Sequence, residues 1–229
     1  MNLRDETGTT LVELMVALMT GLVIFVALTT MVITTMHGSA RVTARVEATQ
    51  RARIAMVRLM EQLHSACVAP EIAPIKSGST GNSLKFVHQT GSAVSPTPIL
   101  SVVCYSNGTL TQSDYAATGG TSPNWTFAST PSSTRTLLTK VAPIPPSTSI
   151  FSYYRYFNGA VSETPLSPPV SGLTTEEAAL TVEVRAALSA NPLSTPVKDT
   201  GAEANIRNSA SLRLTPPSFN EGSPSKPCQ

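Results

Sequence analysis

Gly8-Thr9-Thr10-Leu11-Val12-Glu13-Leu14 opens an apolar run that continues to Ile33. Between Leu14 and Ile33 lie 20 residues without a single charge. A helix rises about 1.5 Å per residue, so this run is roughly 30 Å long, the thickness of a bilayer's hydrocarbon core. One carboxylate, Glu13, stands at its amino end, and only seven residues precede Gly8. An ordinary secretory signal places its cleavage site after the apolar region. Here the candidate processing point lies before it, so the apolar segment stays on the mature chain.

Working outward, the helix pattern does not stop at Ile33. No proline occurs between there and Pro70. Ile54, Val57, Met60, Leu63 and Cys67 recur at spacings of three or four, while Arg51, Arg58, Glu61 and Gln62 fall largely on other faces. The spacing predicts one helix from about Thr10 to Val68, roughly 88 Å long. Its first half is apolar all round and its second half amphipathic. Pro70 and Pro74 end it.

After Pro74 the pattern becomes that of short strands. Ser83–His88 and Ile99–Tyr105 read as strands, and Ser106-Asn107-Gly108-Thr109 as a hairpin turn. Residues 113–135 are rich in Thr, Ser, Gly and Pro, which predicts a long loop with a short strand near Trp125 and Phe127. Ile150–Phe157 is aromatic and closes on Asn158-Gly159. Leu180, Val182, Val184, Ala186 and Leu188 alternate with Thr181, Glu183, Arg185 and Ala187, the pattern of a strand with one buried and one wet face. Ile206–Leu214 completes the set, and a polar, proline-rich tail follows from Pro216. The expected class is α+β: a long N-terminal helix packed on a C-terminal antiparallel sheet domain. Its divisions are 1–8, 9–33, 34–69, 70–215 and 216–229.

Composition narrows the function. Charged residues are only 13% of the 229, and the net charge of +2 is too weak an imbalance to imply nucleic acid. No G-x-S-x-G, H-E-x-x-H, C-x-x-C or phosphate loop occurs, so neither an enzyme activity nor a cofactor is expected. His37 and His64 lie about 40 Å apart on one helix and cannot share a site within a subunit. Asp114 and Asp199 are too isolated to argue for calcium. Asn107-Gly108-Thr109 and Asn124-Trp125-Thr126 match a glycosylation sequon but read as turn chemistry. Arg41, Arg45, Arg51, Arg53 and Arg58 cluster after the apolar run. No aromatic is interleaved to stack bases, which disfavours DNA against lipid headgroups or neighbouring carboxylates. The three cysteines allow one disulfide. A Cys67–Cys104 bond would tie helix to sheet, closing a loop worth about 3–4 kcal/mol on the chain-entropy model. Cys228 is the alternative partner.

The Gly8 junction, the fifth-position acid and the apolar run together resemble the class III signal of type IV pilins and type II secretion pseudopilins. The resemblance implies cleavage after Gly8 by a prepilin peptidase, methylation of the new terminus at Thr9, and an assembly role for Glu13. Thr9 stands where that family usually has Phe. Many major pilins carry a proline at the position of Thr30, and its absence points to minor pilins and pseudopilins. Leu137–Val141, then Phe151–Tyr156 with Asn158-Gly159, then Leu180–Leu188 follow an order similar to that of J-type pseudopilins and PilW-like proteins. The implied partners are the peptidase, other pilins or pseudopilins, the assembly platform and the cytoplasmic membrane. The implied topology has the amino terminus inside, although a basic cluster beyond the anchor reads the other way by the positive-inside rule. The implied final location is a filament in the envelope or at the surface. Two alternatives are a DNA-uptake pseudopilin and a single-pass anchored extracytoplasmic binding domain.

Overall fold

The computed structural model describes residues 10–67, 73–92, 95–121, 124–166, 171–193 and 203–212. The helix α1 spans Leu11–His64. Strands follow as β1 (Ser83–Ser92), β2 (Ser95–Ser106), β3 (Thr109–Thr121), β4 (Asn124–Phe127), β5 (Ser133–Thr139), β6 (Val141–Pro143), β7 (Phe151–Phe157) and β8 (Ala160–Val161). A short helix α2 (Thr175–Leu180) then leads into β9 (Thr181–Ala190), and β10 (Ala204–Ser211) comes last. The chain divides into two compact units, Met1–Ala44 and Arg45–Gln229. The class is α+β, with a long apolar N-terminal helix and antiparallel sheets in the C-terminal unit. The expected leader, 1–8, and tail, 216–229, lie outside the described residues.

In the second unit two five-stranded sheets share one core. The first runs β1-β2-β3-β4, with β5 also paired to β3. The second runs β10-β9-β7-β8, with β6 also paired to β9. Lys140, at φ 54, makes the corner through which the chain leaves β5 for β6 and so changes sheet. Leu84, Phe86, Val103, Leu110 and Leu138 come from the first sheet, and Phe151, Tyr153, Val184, Ala186 and Leu188 from the second. Ala52, Ala55, Met56, Leu59, Met60 and Leu63 of α1 pack into the same core. The Tyr153 hydroxyl donates to Thr80 O at 2.9 Å and Ser83 O at 3.2 Å, tying the second sheet to the first. Burial pushes that phenol's pKa up, so it stays a donor.

Several expectations meet the structure directly. The Asn107-Gly108 hairpin forms with both central residues at positive φ, 48° and 74°, as the right-handed twist of its strands demands. The expected buried face holds at Met60, Leu63 and Cys67 but not one to two turns earlier, in α1. Ile54 and Val57 are 58% and 45% exposed, while Ala48 and Ala52 are fully buried. There Ala44, Ala48, Ala52 and Ala55 take the buried positions, at the same helical spacing as the larger side chains. Residues 113–135 are largely strand rather than loop, because β3 continues to Thr121. Its distal half is exposed on both faces, so it lacks the alternation that marks a strand in sequence. Leu180 is not in the ninth strand but ends α2, 46% exposed. That helix begins with a full capping box, Thr174 with Glu177, a signal legible in the sequence. On β9, Glu183 is buried rather than wet, because its carboxylate takes Arg185 Nε at 2.7 Å and Arg185 stacks over Tyr154.

Candidate functional site

Sixteen large apolar side chains between Leu11 and Ile33 stand exposed. Each is worth about 1.5–3 kcal/mol when fully buried, so leaving all of them in water would forfeit tens of kcal/mol. The helix is long and apolar enough to cross a membrane. Its hydroxyls also fit an apolar medium. Thr20 donates to Val16 O at 2.8 Å, Thr29 to Phe25 O at 2.8 Å and Thr30 to Val26 O at 3.1 Å. Each threonine thus satisfies its own donor within one turn, which hydrocarbon requires.

Glu13 is the exception in this segment. Its backbone N–H donates to Thr10 O at 3.0 Å and Thr10 Oγ1 at 3.3 Å, half of a capping box. Its carboxylate has no ion pair or hydrogen bond among the described residues, though its place in the first turn suits the helix dipole. Gly8 and Thr9 lie outside the described residues.

The Cys67–Cys104 bond does not form. Cys67 is disulfide-bonded, whereas Cys104 is a free, half-buried thiol. Cys67 packs with Val87, Leu100, Trp125 and Phe127, where Val87 faces Leu100 across β1 and β2. Cys104 stands four residues farther along β2, opposite Ser83. That is roughly 13 Å away at the strand rise, too far for a bridge that needs Cα atoms within about 7 Å. Cys228, the alternative partner, lies outside the described residues.

A polar cluster that sequence reading missed lies on the inner face of the first sheet. Antiparallel register places His88, Ser101, Gln112 and Asp114 on neighbouring inward positions of β1, β2 and β3. Ser101 Oγ donates to Asp114 Oδ1 at 2.5 Å, and Gln112 Nε2 donates to the same oxygen at 2.6 Å. Gln112 Nε2 is also 3.2 Å from Ser101 Oγ, and Ser133 Oγ donates to Asp114 Oδ2 at 3.2 Å. Arg135 Nη2 donates to Gln112 Oε1 at 3.0 Å. His88 Nε2 is 3.0 Å from Ser101 Oγ. The serine proton is committed to Asp114, which leaves Ser101 Oγ an acceptor towards its other neighbours. This order, with serine between histidine and carboxylate, differs from a nucleophile activated by a central base.

Burial lowers the pKa of His88, against the raising influence of the Asp114 charge, so its imidazole is neutral near pH 7. Burial pushes the Asp114 carboxyl up, but hydrogen bonds from Ser101, Gln112 and Ser133 outweigh it and hold it below the usual value. Asp114 therefore has its oxygens occupied by the protein itself. No group of three or more metal-ligating side chains occurs among the described residues, and Asp199 lies outside them. The sequence signal for the cluster is faint: one polar residue each on β1 and β2 and two on β3 at inward positions, visible only once register is known.

The arginines separate by environment. Arg51 Nη2 donates to Asn191 O at 2.8 Å, and its Nε lies 3.7 Å from Glu47 Oε1. Arg58 is exposed, with no hydrogen bond or ion pair among the described residues. These two join Arg135 around a groove of about 340 Å³ between α1 and β5. Comparisons with family models, curated proteins and solved structures return no match.

Proposed function

We propose that the chain is a minor pilin or pseudopilin, a non-enzymatic subunit of a type IV pilus or type II secretion filament. The observation that carries the reading is one carboxylate, Glu13, without a partner among the described residues, at the head of a helix whose apolar side chains are exposed all round. A Gly8-Thr9 junction ahead of that helix supports it. A carboxylate in hydrocarbon costs roughly 2.5–3.5 kcal/mol at mid-depth and less near the interface, so a partner for it is the default expectation. On this reading the partner is the free amine created at Thr9 of a neighbouring subunit. Pairing the two in an apolar filament core selects one axial register, because any slip leaves both charges unpaired. Before assembly the helix anchors the chain in the cytoplasmic membrane with its sheet unit outside.

Mass spectrometry of the native amino terminus tests processing. It should begin at Thr9, and Gly8→Val should leave the full precursor in the membrane. A native terminus at Met1, or a cut after the apolar run, overturns the reading. Glu13→Gln should be processed normally yet be depleted from sheared filaments. Normal incorporation would reduce Glu13 to a helix cap.

A further inference from the structure

The groove between α1 and β5 combines three features that no single structural role absorbs. Arg51, Arg58 and Arg135 are among the residues that line it, and no Asp or Glu is. Like charges crowded in one concavity raise the local potential and favour an arriving anion. Arg51 is partly spent on Asn191 and on Glu47, 3.7 Å from its Nε, and Arg135 on Gln112, whereas Arg58 has no such partner among the described residues and is the guanidinium left to an incoming anion. The groove is also apolar in part: Ile54 is 58% exposed, and Ala55 and Leu137 lie beside it. Finally, β5 pairs only with β3, so its other edge has no ladder partner among the described residues. An open edge presents backbone donors and acceptors to an incoming strand.

We propose that this groove docks an extended segment of a partner protein, added as a strand to the free edge of β5. Strand addition takes affinity from main-chain hydrogen bonds and specificity from alternate side chains. Alternate side chains on such a segment point the same way, roughly 7 Å apart. One apolar side chain meets Ile54 and Leu137, and carboxylates two positions to either side meet the guanidinium groups. Arginine suits that task because its fork binds a carboxylate through two parallel hydrogen bonds. The groove lies wholly in the second unit and makes no use of Glu13 or the Gly8 junction.

The test uses the full chain in neutral-detergent micelles and a labelled seven-residue threonine peptide with a central valine flanked, two positions away on each side, by glutamate. A second peptide carries lysine in place of glutamate. Fluorescence anisotropy should show binding of the glutamate peptide and none of the lysine peptide. Arg58→Glu should weaken binding at least tenfold, and because Arg58 is exposed, with no hydrogen bond or ion pair among the described residues, the fold is not put at risk. Hydrogen exchange of the Ser133–Thr139 amides should slow when the glutamate peptide is bound. Equal binding of both peptides, indifference to Arg58→Glu, or unchanged exchange in β5 overturns the proposal. So does full displacement of the peptide by phosphatidylglycerol, which would make the groove a lipid-headgroup site. The readout is peptide binding by the chain alone, so its failure leaves the subunit reading standing, and the reverse also holds.

Discussion

The two ends of α1 belong to one helix and obey different rules. Around Phe25 every apolar side chain is exposed and every threonine hydroxyl turns back on its own helix. Around Leu59 a narrow stripe is buried against two sheets, and the opposite face carries Arg53, Ile54 and Arg58. Threonine hydroxyls in the first stretch are satisfied within four residues. The sheet unit adds bonds between strands, across 11 to 23 residues from His88 and Gln112 to Ser101 and from Arg135 to Gln112, and one across 140 from Arg51 to Asn191. A segment that makes its bonds locally can exist in lipid without tertiary partners. A segment that makes them at long range exists only when the fold does.

The sharpest way to break this contrast is to make the same change in both places. Phe86 is fully buried, so Phe86→Ala should cost about 3–5 kcal/mol in urea unfolding of the sheet unit. Phe25 is 70% exposed, so Phe25→Ala should leave that transition within about 0.5 kcal/mol. Phe25→Arg should instead penalise membrane insertion by roughly 2.5–3.5 kcal/mol, seen as protein lost from the membrane fraction. If the Ala variants behave alike, the two stretches are not energetically distinct.

A smaller effect sharpens the assignment of the helix face. Ala52 is fully buried, and Ala52→Leu should destabilise by about 1–3 kcal/mol through overpacking. Ile54→Ala, on the exposed face, should change stability by less than about 0.5 kcal/mol. A reversal of that order in denaturant midpoints would restore the face predicted from spacing.

The smallest effect is pH dependence. The native pKa of His88 lies below its ordinary value near 6.5, so below that pH the unfolded chain binds a proton that the native state resists. Stability should therefore fall as pH drops below about 6.5. Asp114 is also held below its ordinary value, and its contribution is lost as pH falls below about 4. Urea midpoints at stepped pH should show both losses, and His88→Asn should remove the first alone. A midpoint that rises on acidification between those limits contradicts the assignment.

The long apolar helix was legible in the residues alone, because 20 uncharged residues without a proline favour one continuous helix long enough to cross a bilayer. The sequence by itself also determined the two Asn-Gly hairpins, since Asn107, Gly108, Asn158 and Gly159 supply the positive φ values the turns need. Only the tertiary structure decided which stripe of α1 is buried. Alanine is a weak hydrophobic signal in sequence, yet its small side chain packs well against the sheets. Only the tertiary structure joined His88, Ser101, Gln112 and Asp114, because strand register sets which polar residues meet. And only it separated Cys67 from Cys104, since a disulfide depends on a few ångströms of Cα distance, which sequence spacing does not encode.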